Sequence, residues 1–244
     1  MDSFWTIVEK LSCGQIDRKD IKSQQDEENY YPMSRGGMIS YIGHSQVQWD
    51  LRKRCRPIFE EVWETNQVKS SFDAMCFMNG NLKMDEEPLT DFLHADRGSL
   101  RNTFWCYQGL VCLTNNGPDE GGFVVVADSH LIHAEHTIRS NQRSRSWYSC
   151  TKEDKNTKPF KDCFKVDNEA GDFILWDGRT FHSNTYPKKP VQRVCSYICM
   201  IPANQVDADT SESRHYGVEH RITSTHHPGE GFNLFPALSR GYLE

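Results

Sequence analysis

Gly171-Asp172-Phe173-Ile174-Leu175-Trp176-Asp177-Gly178-Arg179-Thr180-Phe181-His182 is the stretch whose reading decides the fold. Turn residues open it, an apolar run of strand length follows, Asp177-Gly178 turns the chain, and a histidine ends it. That is a buried strand running into a turn. Working outward, residues 71–78, 104–114, 123–127 and 194–201 also read as strands. The second and third are rich in aromatic and β-branched side chains. Asn115-Asn116-Gly117-Pro118, Gly121-Gly122 and Pro187-Lys188-Lys189-Pro190 supply turn chemistry between them. The first hundred residues read mostly helical. Residues 3–11 form a short amphipathic helix with Ser3 as N-cap. Over residues 45–64, Val47, Leu51, Cys55, Ile58 and Val62 recur at helical spacing, and Pro57 is expected to kink or restart that helix. Residues 22–37 are polar, with Gly36-Gly37 marking a loop, and the tail after Pro202 reads as loop and short helix folded back on the strands. Irregularly spaced strands after a helical N-terminal third predict a β-sandwich or jelly roll backed by helices.

The 244 residues suffice for one substantial domain with its own core. A hydrophobic fraction of 37% and an aromatic fraction of 11% suit a β-rich enzyme with sizeable surface loops. A net charge of −6 argues against the broad positive field of a nucleic-acid binder. No apolar run approaches the ~20 residues of a membrane span. Met1-Asp2-Ser3-Phe4-Trp5 has neither the charged nor the apolar region of a secretory leader, and Gly241-Tyr242-Leu243-Glu244 carries no lipidation or peroxisomal signal. The nine cysteines are odd in number and are read as reduced thiols of a cytoplasmic protein. Cys195 and Cys199, spaced C-x3-C in an apolar run, are read as buried small hydrophobes rather than zinc ligands.

The chemistry starts at His94-Ala95-Asp96. In a strand, residues i and i+2 point the same way, so His94 and Asp96 can grip one ion while Ala95 points away. A third ligand must arrive from a distant strand, and His182 is placed to supply it. Two imidazoles and one carboxylate on one face of a metal leave three adjacent positions open, the facial arrangement of non-haem Fe(II) oxygenases. Arg193 follows His182 across the Pro187–Pro190 turn, and an antiparallel hairpin would return its side chain towards the His182 strand. It opens an otherwise apolar run, and a buried guanidinium needs an anion. Its planar fork matches a carboxylate in two parallel bonds. A dicarboxylate that chelates the metal at one end and needs a clamp at the other describes 2-oxoglutarate.

The order His94-x-Asp96, then Gly121-Gly122-Phe123-Val124-Val125-Val126-Ala127-Asp128-Ser129-His130, then residues 171–182, then Arg193 resembles the phytanoyl-CoA dioxygenase family of Fe(II)/2-oxoglutarate oxygenases. The similarity spans about residues 70–202. The middle block is similar to that family's G-x-x-x-V-x-P-G-S-H segment, with Ala127-Asp128 where Pro-Gly is usual. The resemblance implies a double-stranded β-helix core over residues 69–203, a helical part over 1–68 and an extension over 204–244, all in one domain. It implies His94, Asp96 and His182 as iron ligands, Arg193 as the 2-oxoglutarate clamp, and O2 as the oxidant. Halogenating relatives replace the carboxylate ligand by a small residue; the presence of Asp96 favours hydroxylation, with release of succinate and CO2.

Other residues carry weaker readings. Gln108 is expected to hydrogen-bond 2-oxoglutarate or substrate, or else a neighbouring loop; Asn184, two past His182, could reach the co-substrate. Asp73 wants a partner, with Arg52 or Arg101 as candidates. His130, His133 and His136 read as surface residues on a helical turn with no acid ligand, and His226-His227 similarly. Residues 139–165 hold eight Lys or Arg against three acids, which reads either as a solvated mobile insertion or as a cationic lid over an anionic substrate, with Trp147 and Tyr148 in its middle. The substrate is expected to be a small organic molecule, with the basic segment mildly favouring an anionic one. A peptide or protein hydroxylase, or a non-catalytic jelly-roll protein that binds metal or ligand, are the competing readings.

Overall fold

The computed structural model describes residues 1–26, 29, 34–35, 37–80, 88–140 and 142–234. The expected loop around Gly36 and the end of the 204–244 extension lie outside the described residues. Two antiparallel sheets face each other. The larger contains, in order, β1 (Ser34–Arg35), β2 (Met38–Ile39), β4 (Met75–Asn79), β12 (Gln192–Tyr197), β6 (Tyr107–Cys112) and β10 (Phe173–Asp177). The smaller runs β8 (Tyr148–Ser149), β5 (His94–Ala95), β11 (His182–Thr185), β7 (Gly122–Val125) and β9 (Phe164–Val166). A separate pair joins β3 (Val68–Ser70) to β13 (Met200–Pro202). This is the double-stranded β-helix, or jelly roll.

Strand alternation sorts the core into layers. On β12, Arg193, Cys195 and Tyr197 share the face turned into the sandwich with Met78 and Cys76 of β4, Leu110 of β6 and Phe123 of β7. Val194 and Phe77 point the other way, where Phe4, Trp5 and Val8 of α1 (Asp2–Leu11) cover them. The outer face of β6 packs against Cys55 and Phe59 of α2 (Gln46–Val62). Each such buried aliphatic or aromatic side chain contributes roughly 1.5–3 kcal/mol.

Several local expectations are corrected. The first helix begins at Asp2, with Met1 rather than Ser3 at its cap. Ser45 does cap α2, accepting from the Gln48 amide, and the helix runs through Pro57 without restarting there. Pro57 lies on the exposed side, where water can satisfy the carbonyl its ring leaves without a donor. The N-terminal third is also not simply helical, because β2 pairs with β4 and extends the larger sheet. Asp128 takes φ 55°, the left-handed conformation that glycine adopts freely and aspartate tolerates. The loop after β7 thus keeps a left-handed turn without the family's usual Pro-Gly.

Residues 139–165 are solvent-facing over much of their length but are anchored in the core rather than loose. Trp147 and Tyr148 sit against the smaller sheet, Tyr148 being fully buried on β8. Two short helices follow, α4 (Lys152–Lys155) and α5 (Lys158–Lys161), the second planting Phe160 in the core under Phe181. Asp154 ties the segment down. Its carboxylate accepts from the Tyr148 hydroxyl at 2.5 Å and the Thr151 amide at 2.9 Å, and His136 Nδ1 stands 2.7 Å away. His133 and His136 on α3 (His133–Arg139) are therefore buried, not surface residues. Asp154→Ala would leave these partners unpaired. It is expected to cost about 3 kcal/mol, read as a fall of roughly 6–12 °C in melting temperature. An unchanged melting temperature would show that the network contributes nothing to stability.

Candidate metal centre

His94 and His182 stand directly opposite each other where β5 pairs with β11, so their imidazoles project side by side with ring centroids 4.4 Å apart. Asp96, one residue past the end of β5, turns to the same side. One ligand atom from each of the three lies within 4.8 Å of the other two, and all three side chains are buried. Among the described residues this is the one His/Cys/Asp/Glu cluster able to hold a metal ion.

Protonation suits that purpose. His94 Nδ1 lies 2.9 Å from the Phe92 carbonyl and His182 Nδ1 2.9 Å from the Thr180 carbonyl. A carbonyl only accepts, so each Nδ1 carries the proton and each Nε2 keeps its lone pair free. Burial lowers the pKa of both rings, that of His94 to about 4, so both are neutral at pH 7. Burial acts to raise Asp96, but His226, His182 and His94 hold its carboxyl well below the usual carboxylate range. Two neutral imidazoles and an ionised carboxylate are the forms in which these groups bind a metal.

The sequence reading missed His226. Its Nε2 lies 2.6 Å from Asp96 Oδ2, and its Nδ1 is 4.0 Å from Asp73 Oδ1. Burial pulls His226 down, but the two carboxylates override it and raise the imidazole to about 9. Nothing in the local sequence announces this, because His226 lies in the tail, far along the chain from His94, Asp96 and His182. Asp73 is buried and accepts from Ser71 Oγ at 2.5 Å; neither expected arginine forms an ion pair with it. Arg52 donates to the Gly43 carbonyl and Arg101 pairs with Glu230.

Gln108 is engaged within the protein. It donates to Asp96 Oδ2 at 2.8 Å and accepts from Trp176 Nε1 at 3.0 Å. Asn184 lines the cavity beside the triad and donates to the Tyr197 hydroxyl, leaving its own Oδ1 buried without a donor. Arg193 is not on a hairpin with His182. β11 belongs to the smaller sheet and β12 to the larger, so the two residues face each other across the sandwich interior. The hairpin expectation failed because jelly-roll strands pass alternately between sheets. Arg193 is only 1% exposed, and among the described residues no carboxylate pairs with it. Its Nη1 touches Cys76 Sγ at 3.2 Å and Met78 Sδ at 3.6 Å, and among the described residues its Nε has no acceptor. Cys195 and Arg193 pull the Cys76 thiol down, against the burial that raises it. A buried guanidinium has the charge and the planar fork that an anion such as a carboxylate fits.

A cavity of about 470 Å³ opens over the triad. Met78, which touches Arg193, lines its inner end with Trp176 and Tyr197. Trp147 stacks flat on His94, with centroids 4.2 Å apart and planes at 16°, and Phe92 stands beside it at the mouth. No Lys or Arg is among the described lining, and three of the basic side chains of residues 139–165 are engaged with other groups. Lys155 binds the Asp91 carbonyl, Lys158 pairs with Asp162, and Lys165 caps the carbonyls of Asn116 and Gly117. The cationic-lid reading therefore finds no support.

Residues 60–185 match the phytanoyl-CoA dioxygenase family, PhyH, and the chain belongs to that family. It is 27% identical over 228 residues to the Ava biosynthesis cluster protein O of Aspergillus versicolor, spanning 87% of this chain and 73% of that protein. Its backbone is similar to EctD from S. alaskensis, solved with 2-oxoglutarate and 5-hydroxyectoine, at a TM-score of 0.52 and 14% identity, covering 83% of this chain and 69% of that one. It is also similar to the epimerase SnoN, solved with Fe3+, alpha ketoglutarate and nogalamycin RO, at a TM-score of 0.51 and 14% identity, covering 81% and 84% of the two chains. At this identity the two structures bear on the fold, and they share the jelly roll. No described helix is long and apolar enough to cross a membrane.

Proposed function

We propose that this chain acts as a single-domain Fe(II)/2-oxoglutarate-dependent dioxygenase that hydroxylates a small organic molecule. The observation that carries the reading is a buried His94–Asp96–His182 set in the same sandwich interior as a buried arginine that pairs with no carboxylate among the described residues. Ferrous iron with 2-oxoglutarate, bound there, supplies the activation of O2 coupled to oxidative decarboxylation of the keto acid to succinate and CO2. Each protein group has a physical task. His94 and His182 present Nε2 lone pairs, fixed in direction by the carbonyls on their Nδ1 protons. Arg193 holds the far carboxylate of the co-substrate, with Asn184 and Gln108 nearer the triad. Trp176, Phe123 and Tyr197 keep the interior dry, which strengthens every charged contact in it.

The substrate meets Trp147, Phe92, Leu89 and Tyr186. These surfaces favour an apolar or aromatic molecule without net negative charge, in place of the anion expected from the basic segment. A relative of a biosynthesis cluster supports a small-molecule substrate over a peptide, and the intact ligand set argues against a non-catalytic binder.

The test needs no substrate. Protein supplied with Fe(II), 2-oxoglutarate and air is expected to release succinate slowly, and 2-oxoglutarate with Fe(II) under argon is expected to raise its melting temperature. Absence of both responses would overturn the reading.

A further inference from the structure

The Asp96 carboxylate is held on one side only. Its Oδ2 accepts from Gln108 Nε2 at 2.8 Å and lies 2.6 Å from His226 Nε2, which donates to it whether the ring is neutral or charged. A carboxylate oxygen has two lone-pair directions, so Oδ2 is saturated. Oδ1 lies 3.7 Å from His94 Nε2 and Oδ2 3.7 Å from His182 Nε2, so what distinguishes the two oxygens is that Oδ1 receives no hydrogen bond among the described residues. Both donors are themselves fixed. Trp176 Nε1 holds the Gln108 carbonyl at 3.0 Å, a contact set by the register that places Trp176 opposite Gln108. His226 is anchored through the chain on either side of it. The Ser224 amide donates to the Phe72 carbonyl and the Ser224 hydroxyl accepts from the Phe72 amide, and Glu230 pairs with Arg101 at 2.5 Å.

We infer that His226, delivered by the C-terminal segment, and Gln108 are positioning residues that restrict Asp96 to binding the metal through Oδ1 alone. The inference rests on the metal-centre reading above. Its chemical consequence is coordination number. A carboxylate bound through both oxygens would take a further position on a six-coordinate ion. Bound through one, it leaves the three adjacent positions that a two-point keto acid and O2 together require. The tail beyond the jelly roll is thereby part of the metal site.

The test uses the full chain, with Co(II) alone as the probe, its affinity measured by chelator competition and its coordination read from the visible spectrum. His226→Ala is expected to weaken Co(II) about 10- to 100-fold and to change the spectrum. His226→Gln, whose amide can donate to Oδ2, is expected to recover most of that loss, which a merely structural role would not predict. A folded His226→Ala protein with wild-type Co(II) affinity and spectrum overturns the inference. If His226→Ala does not fold, Gln108→Leu decides, and wild-type affinity and spectrum in that variant overturn it equally. The underlying metal reading fails in a different way, through a wild-type chain that binds no Co(II) or an Asp96→Ala chain that binds it as well as wild type.

Discussion

Asp96→Ala is expected to abolish succinate release and to weaken Fe(II) or Co(II) binding by roughly 10²- to 10³-fold, the size of a lost buried charge contact. The carboxylate is the only anion of the three candidate ligands, and the two imidazoles beside it are neutral. Without it, a dication in this dry interior keeps two dipolar ligands and no countercharge. The substitution also strands Gln108 Nε2 and His226 Nε2, both of which point at Asp96 Oδ2. Asp96→Asn separates the two effects, because it keeps an acceptor oxygen but removes the charge. It should hold the fold better than the alanine variant while remaining inactive. Calorimetric metal titration and a succinate assay read both consequences. Normal turnover in either variant would mean that Asp96 is not a ligand.

What the sequence made legible follows the range of the interactions. His94, Asp96 and the strand before His182 were readable because strand periodicity acts over two residues, and because glycine and aspartate mark the turn that aims His182. Long-range pairing was not readable. His133 and His136 looked like surface residues because their burial depends on Arg97, Asp154 and Phe181, which adjoin them only after the smaller sheet has formed. Arg193 was correctly singled out as a buried cation, yet it was placed on the wrong strand pair, since a short turn suggests a hairpin and a jelly roll instead sends the chain to the opposite sheet. The positive charge of residues 139–165 was a property of composition. The side chains that face the triad from that segment come down to its aromatic Trp147.

Arg193→Met is expected to move stability and co-substrate binding in opposite directions. In the protein alone, the guanidinium is 1% exposed, its Nε lacks an acceptor among the described residues and its Nη1 bonds to sulfur atoms. Such a charge carries much of its desolvation cost uncompensated, and a methionine of similar length among Cys76, Met78 and Cys195 would remove that cost. Replacing buried charge by well-packed apolar volume commonly stabilises by about 1–4 kcal/mol, so the melting temperature without ligand should rise by several degrees. The same substitution removes the fork that meets the far carboxylate of 2-oxoglutarate. Truncating one side of a buried, hydrogen-bonded charge pair costs about 2–5 kcal/mol, on the order of a 10²- to 10³-fold increase in the 2-oxoglutarate concentration needed for half-maximal succinate release. The ligand-induced rise in melting temperature should vanish with it. Arg193→Lys should fall between the two, because an ammonium supplies charge without two parallel bonds. An arginine with a purely structural role would behave otherwise: the methionine variant would melt lower and keep its dependence on 2-oxoglutarate, and that outcome would remove Arg193 from the co-substrate site.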